Sequence, residues 1–264
     1  MTFNFCSFSS GSSGNCYLVK TETTAVLVDG GISAVQIISG LHRTRTATED
    51  VRAILLTHEH SDHVSGVAAA LKQLPRATVC ANEGTLAKMR ANIPEDRKSR
   101  FETGDAFRIG DIEVKTFGLS HDAADPVGYS LRHEGKTISI VTDTGVVTED
   151  ILSETVDADI LVLEANHDVE MLRNGGYPPF LKKRIAGVRG HLSNAAAGQA
   201  ILDMMAIERK ARCVLLAHLS HRNNDPRLAE QTVANMLAEM DYHSGRDLYL
   251  KPILRNRLSR LFEI

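Results

Sequence analysis

The chain has 264 residues, of which 43% are hydrophobic and 24% are charged, and its net charge is −3. These values are typical of a globular protein with a large core, and they exclude a disordered chain and a protein that is basic all over. No apolar run approaches the roughly 18 residues that span a bilayer, and "MTFNFCSFSS" lacks the features of a signal peptide.

The four cysteines are widely spaced and form no CxxC pair. This spacing argues against a thiolate metal site and favours reduced thiols in the cytoplasm. We therefore expect a cytoplasmic protein, with no membrane association and no obligate protein partner. The length suits one large domain or two small ones, and we expect a single domain over residues 1–264.

The first unusual stretch is "SFSSGSSGNCYLV", residues 7–19, which lies between two predicted strands. Six of the seven residues from Ser9 to Asn15 are Ser or Gly, more than a hairpin turn requires. Small residues let the backbone approach a ligand, and successive amides can form an anion-binding nest. We expect Ser9, Ser12, Ser13 and Asn15 to contact a substrate phosphate, with a plain turn as the alternative.

Further along the chain, short apolar runs alternate with amphipathic stretches, which is an α/β pattern. Six of the apolar runs end in an acid or a histidine. These residues are Asp29, His58, His121, Asp143, Glu164 with His167, and His218. Buried strands that place polar side chains along one edge build an active site there. The runs "AILLTHEHSDH" and "VLLAHLSHRNND" are also similar to each other, which suggests two related halves with a site between them.

The segment "THEHSDH" places three histidines and one aspartate, His58, His60, Asp62 and His63, within six positions, and all four can bind a metal. In an extended loop, His58 and His60 point to one side, and a following turn lets Asp62 and His63 face a second point nearby. Imidazole and carboxylate groups suit Zn²⁺, and Mn²⁺ or Fe²⁺ also fit. The alternative is a polar loop in which Asp62 is a helix N-cap, and a residue can be both cap and ligand.

This HxHxDH motif after a buried strand resembles the signature of the metallo-β-lactamase superfamily. The resemblance continues in order through "LVDGG", "GLSHD", "TDTG" and "LAHLSHR". The segments "NHDVEML", "GYPPFLKKRIAG" and "GHLSNAAAG" are similar to the YycJ/WalJ (VicX) branch of metal-dependent phosphodiesterases and exonucleases. The resemblance covers essentially the whole chain. It implies an α/β fold, an αββα four-layer sandwich of two mixed β-sheets with flanking helices.

The resemblance also implies two divalent metal ions, Zn²⁺ or Mn²⁺, with iron as an alternative. One ion would be held by His58, His60 and His121, and the other by Asp62, His63 and His218. Asp143 would bridge them together with a water or hydroxide, since two ions roughly 3.5–4 Å apart can activate a water. Asp29 would accept hydrogen bonds that orient the "HEHSDH" loop. His221 is the alternative to His218 as the last ligand.

Three residues are candidates for catalysis: His191, His167 and Asp62. His191 precedes a predicted helix whose N-cap is Ser193 or Asn194, so it can reach an anionic substrate and protonate a leaving oxygen. Its position resembles that of the proton-donating histidine of ribonuclease Z. His167 can donate to a phosphate or act as an acid–base group. The alternative for its neighbours Asn166 and Asp168 is helix capping.

Further substrate contacts are expected from Asn166, His167, His221 and Arg222. Three basic clusters, "HRTR" (42–45), "KKR" (182–184) and "RNRLSR" (255–260), can follow a nucleic-acid backbone, and Tyr177 and Phe180 can stack on bases. The alternative for each cluster is a solvated face.

We therefore predict a dinuclear phosphodiesterase whose substrate is nucleic acid, which the resemblance sharpens to a 5′→3′ exonuclease on DNA. Hydroxide bridging the metals would attack phosphorus. One alternative is a thioester or small cyclic phosphodiester hydrolase similar to glyoxalase II. The strand-like C-terminal segment "DLYLKPILRNRLSRLFEI" counts against it, because those relatives carry a helical segment there. The other alternative, a non-catalytic regulatory accessory protein, is disfavoured by the complete ligand set.

Overall fold

The computed structural model describes residues 2–264 and contains two seven-stranded β-sheets. The first sheet is formed by β1 (Asn4–Ser9), β2 (Cys16–Lys20), β3 (Ala25–Val28), β4 (Val51–Leu55), β5 (Thr78–Ala81), β6 (Lys98–Arg100) and β14 (Phe262–Glu263). The second sheet is formed by β7 (Ala106–Ile109), β8 (Ile112–Gly118), β9 (Val127–His133), β10 (Lys136–Val141), β11 (Ile160–Glu164), β12 (Cys213–Ala217) and β13 (Tyr249–Pro252).

Most of the helices pack on the outer faces of the two sheets. Those of the first half are α1 (Ala34–Arg43), α2 (Ser61–Val64), α3 (Val67–Leu71) and α4 (Glu83–Lys88), followed by a 3₁₀ turn at Glu95–Arg97. Those of the second half are α5 (Glu149–Thr155), α6 (Val169–Asn174), α7 (Pro179–Ile185), α8 (Asn194–Ile207) and α9 (Pro226–Glu239). Among residues 2–264, no helix is long and apolar enough to cross a membrane.

The two sheets repeat one topology. The strand order is β14-β1-β2-β3-β4-β5-β6 in the first sheet and β7-β8-β9-β10-β11-β12-β13 in the second. In each sheet the first three pairings are antiparallel and the last three are parallel. This repetition agrees with two related halves. The similar runs in the sequence are not equivalent strands, however, because β4 stands fifth in its sheet and β12 sixth.

Alternating side chains divide the core into three layers. Leu55 of β4 faces the opposite sheet, where it joins the fully buried Tyr17 and Tyr129, whereas the adjacent Ile54 packs toward the helices. One core therefore lies between the sheets, one between the first sheet and α1 with α3, and one between the second sheet and α5, α8 and α9. This is the predicted αββα sandwich.

Capping residues fix where the long helices begin. Ser33 and Gln36 form a reciprocal capping box at α1, and the Ser193 hydroxyl accepts from the Ala196 amide at α8. Asp225 caps α9 just ahead of Pro226, whose missing N–H costs nothing at the first position of a helix. The start of α8 matters for function because it fixes the backbone just after His191.

The C-terminal segment forms strands, as its sequence predicts. β13 extends the second sheet beside β12, and β14 extends the first sheet beside β1. Between them, the Asn256 amide donates to the Ser9 hydroxyl at 3.1 Å and the Ser259 amide donates to the Ser7 carbonyl at 2.8 Å. The end of the chain therefore joins the edges of both sheets.

Candidate metal centre

The seven predicted metal ligands lie together at the carboxyl ends of the central strands. Their donor atoms fall into overlapping groups in which all atoms lie within 4.8 Å of one another. These groups include His58 with His60 and His121, Asp62 with His63 and His218, and His58 with His63 and Asp143. Asp143 also shares a group with His218, so its carboxylate lies between the two triads.

The "HEHSDH" loop is shaped by a short helix that starts immediately after His60. The N-cap of α2 is His60, which makes no side-chain capping bond, so the alternative of Asp62 as N-cap is wrong. Asp62 lies in the first turn, and its carbonyl accepts from the Asn15 amide at 2.8 Å. A Cβ atom at Gly31 would overlap that same carbonyl oxygen. Glycine at position 31 is therefore required for the loop to approach this closely.

Three of the cluster's strand ends have unusual backbone geometry. Asp29, Asp143 and His218 each follow a strand closely with φ values of 60°, 62° and 53°. Residues other than glycine adopt this left-handed region at a cost of about 1–2 kcal/mol. The surrounding structure offsets this cost at three neighbouring positions, which is typical of functional sites.

Four buried imidazoles each have Nδ1 beside a protein oxygen. His63 donates to Asp29 at 2.7 Å, His218 to Glu164 at 2.9 Å and His121 to the Gly190 carbonyl at 3.0 Å, while His58 Nδ1 lies 3.0 Å from the Thr57 hydroxyl. Such contacts fix the tautomer and make Nε2 the nitrogen that can bind a metal, although Nε2 of His63 also lies 3.0 Å from the Asn15 side-chain amide.

Three buried donor atoms of the cluster have no hydrogen-bond partner among residues 2–264. They are Nε2 of His58, Nε2 of His218 and Oδ2 of Asp143. Buried polar atoms are nearly always satisfied, and each exception calls for a ligand or another explanation. Nitrogen and carboxylate donors converging in this way suit divalent metal ions. The residues present therefore fit a metal centre.

Asp29 lies beneath the loop and is fully buried. Its Oδ1 accepts from the Thr57 amide at 2.9 Å, and its Oδ2 accepts from His63 Nδ1 at 2.7 Å and from the Thr57 hydroxyl at 2.9 Å. These contacts join the end of β3 to the start of the "HEHSDH" loop and orient the His63 ring.

The carboxylates of the cluster dominate its electrostatics. Burial favours neutral His218, but Asp143, Asp62 and Glu164 outweigh this effect and raise the pKa of His218 to about 10. Burial likewise favours the protonated form of Glu164, but His191 and His218 outweigh it and lower the pKa of Glu164 to about 2. The carboxylates thus stay ionised in a buried, negative environment, which attracts divalent cations.

Glu164 is the functional residue whose role the sequence did not reveal. It is fully buried at the end of β11, and its Oε1 accepts from both His191 Nδ1 at 2.7 Å and His218 Nδ1 at 2.9 Å. Its Oε2 accepts from the Thr144 amide at 3.0 Å. Its place at a strand end was the available signal, but the sequence favoured the neighbouring His167.

His191 and His167 lie at the wall of a cavity of about 390 Å³ that adjoins the cluster. The His191 Nδ1 donates to Glu164, so Nε2 is its available atom. Burial lowers the pKa of His167 and keeps that ring neutral. Its buried Nδ1 has no hydrogen-bond partner among residues 2–264. The neighbouring Asp168 caps α6 by accepting from the Met171 amide at 2.8 Å.

Two predicted substrate contacts lie away from the metal cluster. His221 and Arg222 are exposed, and neither belongs to any of the cluster's donor groups. His221 lines a separate cavity of about 320 Å³ near Arg255, and the Arg222 guanidinium lies 5.6 Å from the centre of the Tyr177 ring. His218, in contrast, lies inside the cluster.

A third predicted contact, Asn166, is occupied by the protein itself. Its side-chain amide is buried and donates to the His218 carbonyl at 3.0 Å. That contact helps to hold the backbone at His218 rather than facing a substrate.

The serine–glycine loop splits into a buried part and an exposed part. Ser9 and Asn15 are buried, with Ser9 accepting from Asn256 and Asn15 placing its amide 3.0 Å from His63 Nε2. Only Ser12 and Ser13 are exposed. The expectation that all four residues contact substrate is therefore too broad, because the protein already uses the side chains of Ser9 and Asn15.

Comparisons with known proteins agree with this geometry. A family model described as a β-lactamase superfamily domain matches residues 24–219. Exodeoxyribonuclease YycJ of Bacillus anthracis is 40% identical over 250 residues, which cover 93% of each chain. Exodeoxyribonuclease WalJ of Streptococcus pneumoniae serotype 2 (strain D39 / NCTC 7466) is 38% identical over 250 residues, covering 93% of this chain and 92% of the other.

A solved structure supports the architecture. The metallo-β-lactamase fold protein YhfI from Bacillus subtilis matches with a TM-score of 0.72 at 14% identity, over 99% of both chains. At this level of identity the match speaks for the fold alone, and it confirms the predicted sandwich of two mixed sheets.

Proposed function

Since the chain belongs to the β-lactamase superfamily of the metallo-β-lactamase fold, in its YycJ/WalJ branch, we propose that it is a metal-dependent exodeoxyribonuclease that degrades DNA from the 5′ end. The observation that carries the proposal is the set of buried donor atoms at the centre of the cluster that have no hydrogen-bond partner within residues 2–264. It supports a metal-dependent hydrolase, and the likeness to two exodeoxyribonucleases favours DNA as the substrate.

In this proposal the cluster holds two divalent ions, Zn²⁺ or Mn²⁺. One would be bound by His58, His60 and His121, and the other by Asp62, His63 and His218, with Asp143 shared between them. Two such ions supply acidification of the attacking water and neutralise charge that develops on the phosphoryl oxygens.

The remaining work falls to side chains around the cluster. His191 is held by Glu164 through Nδ1 at 2.7 Å, so Nε2 is available to donate a proton to the leaving oxygen. His167 lines the same cavity and can donate to a phosphoryl oxygen. Asp62, at the mouth of the cluster with a side chain 23% exposed, can orient the attacking water as well as bind metal.

Four further points accompany the proposal. Residues 1–264 act as one domain, and the enzyme works in the cytoplasm, which the four free cysteines support. It requires no partner protein for activity. Its nucleic-acid contacts extend beyond the metal cluster to Ser12 and Ser13, which are the exposed part of the serine–glycine loop.

Digestion of end-labelled double-stranded DNA tests the proposal. Protein loaded with Mn²⁺ or Zn²⁺ should release labelled mononucleotide early from 5′-labelled DNA and late from 3′-labelled DNA. His60→Ala and Asp143→Ala should abolish this release. Cleavage that survives both substitutions, or that needs no metal, would overturn the proposal. Fast thioester hydrolysis without DNA cleavage would instead favour the glyoxalase II-like alternative. Digestion of RNA of the same sequence shows whether the enzyme discriminates deoxyribose from ribose.

A further inference from the structure

The segment 175–190, here called the arm, has no role in any of the three cores. It contains α7, none of whose residues is buried. Phe180 on this helix is 75% exposed and Val188 is 70% exposed. Large apolar side chains exposed together on one surface segment indicate an interaction site more often than scattered single ones do.

The charge of this region differs from that of the chain as a whole. From Arg173 to Gly190 there are five Arg or Lys residues and no Asp or Glu, although the protein has a net charge of −3. Lys183 is exposed, and its ammonium group has no ion pair or hydrogen bond within residues 2–264. A basic surface with an exposed aromatic ring matches the two needs of single-stranded nucleic acid, phosphate neutralisation and base stacking.

The arm is fixed to the metal centre rather than loosely tethered. Its Gly190 carbonyl accepts from His121 Nδ1 at 3.0 Å, and its Arg189 guanidinium donates to the His121 carbonyl at 3.1 Å. On the other side, a Cβ atom at Gly145 would overlap the carbonyl oxygens of Gly187 and Val188. The basic surface therefore has a defined place beside one of the proposed metal triads.

The cavity of about 390 Å³ lies between the arm and the metal centre. Lys182 and Ala186 line it from the arm, and Leu172 and Arg173 line it from α6. His167 also lines it, and its buried Nδ1 has no hydrogen-bond partner in the described part of the chain, residues 2–264. Its volume is in the range of small-ligand sites, and its lining combines apolar side chains with cations, which suits a single nucleotide.

We propose that the arm and the cavity beneath it bind the single-stranded end of the DNA substrate. The last nucleotide occupies the cavity, Phe180 stacks on a base farther along the strand, and Lys182 and Lys183 neutralise phosphates. This inference rests on the proposed function and adds where the strand lies. The "KKR" cluster lies in the arm beside the metal centre, whereas Arg45 of "HRTR" lines a cavity with Ala25 at the opposite, amino end of the parallel strands.

Kinetics on two substrates test the inference. Phe180→Ala should lower kcat/KM on a single-stranded DNA oligonucleotide between about 5-fold and about 100-fold relative to kcat/KM on bis(p-nitrophenyl) phosphate. The double variant Lys182→Ala with Lys183→Ala should make the plot of log kcat/KM against log salt concentration less steep. Its slope should fall in magnitude by roughly 1.4, which is about 0.7 for each lost phosphate contact. A general loss of structure would lower both substrates together and leave the salt slope unchanged.

Matched controls lie elsewhere on the surface. Val35→Ala removes an apolar side chain that is 76% exposed on α1, and Lys72→Ala with Lys88→Ala removes two exposed charges from the first half. These variants should retain the salt slope and the substrate ratio of the parent protein. If the arm variants behave like the controls while the parent enzyme cleaves DNA, only the proposal for the arm is overturned. The finding that the arm binds an acidic protein instead of DNA would overturn it in the same way. If the parent hydrolyses the nitrophenyl ester but never DNA, the proposed function falls as well.

Discussion

The two sheets place acidic residues at matching strand ends and use them in opposite ways. Asp29 follows β3 and Asp143 follows β10, and each strand stands fourth in its sheet. Both residues have left-handed backbones, with φ of 60° and 62°. Asp29 uses both oxygens within the protein, on Thr57 and His63. Oδ2 of Asp143 makes no hydrogen bond within residues 2–264, and it faces His63 Nε2 at 3.1 Å inside the cluster.

At the fifth strand of each sheet, β4 and β11, the roles of donor and orienting residue are exchanged between the two halves. β4 leads into the "HEHSDH" loop and delivers histidine donors, whereas β11 delivers Glu164, whose carboxylate holds His191 and His218. Each half thus provides donor atoms at one strand end and an orienting carboxylate at the neighbouring one, in swapped order. The role of a buried carboxylate follows from whether the protein already occupies its oxygens, not from its place in the fold.

The largest expected effect comes from the carboxylate with an unoccupied oxygen. Asp143→Asn should lower DNA cleavage by about 10³-fold or more, because the proposed bridge between two ions loses its charge. Asparagine tolerates the left-handed backbone at this position, so the fold should persist. Activity assays with thermal unfolding as a control measure both effects. Near-normal activity in a folded variant would break the distinction between Asp143 and Asp29.

The next effect concerns the last ligand of the second half. His218→Ala should deplete one of the two proposed ions and lower activity by about 10²-fold, since its Nε2 lies 3.6 Å from Asp62 Oδ2 inside the cluster. His221→Ala should retain both ions because that side chain is exposed outside the cluster. Metal content per protein, measured after dialysis, separates the two. Depletion by His221→Ala with retention by His218→Ala would reverse the assignment.

Much of this site could be predicted from sequence because strand ends are local signals. An apolar run followed by Asp29, His58, Asp143 or His218 is visible within ten residues of chain, and the parallel strands then bring those ends to one edge. The C-terminal strands and the cap at Ser193 follow from similar short-range patterns, whereas the four-layer sandwich was expected from the resemblance to a known family.

The rest depends on contacts between distant segments. Glu164 meets His218 across 54 residues, and Asn15 meets His63 across 48 residues. No short pattern encodes which oxygen reaches which ring. The same limit explains why Asn15 was expected to contact substrate. It also explains why "THEHSDH" was compared with the strand end after β12, although the strand equivalent to β4 in the second sheet is β11.

A smaller effect is expected from the two orienting carboxylates. Asp29 holds His63 and Glu164 holds His218, and both histidines belong to the triad proposed for the second ion. Asp29→Asn and Glu164→Gln should therefore each weaken binding of the same ion by about 10- to 100-fold. The first ion should be weakened less, because His121 relies on a carbonyl and His58 is connected to Asp29 only through the Thr57 hydroxyl. Calorimetric metal titration resolves the two sites. Equal weakening of both ions would contradict this assignment.

The last prediction concerns folding stability rather than activity, at the hydrogen bonds that join the two halves. The buried Ser10 hydroxyl, from the first half, accepts from the His218 amide at 2.8 Å and lies 2.9 Å from the Tyr17 hydroxyl. Ser10→Ala should lower the free energy of unfolding by about 1–3 kcal/mol, because it leaves a buried amide without a partner. Ser12→Ala, at an exposed position two residues away, should change it by less than about 0.5 kcal/mol. Denaturant unfolding measures both variants. Equal stabilities of the two variants would mean that the Ser10 hydrogen bond does not join the halves. A DNA-binding defect in Ser12→Ala alone would place the exposed tip of the loop against the substrate.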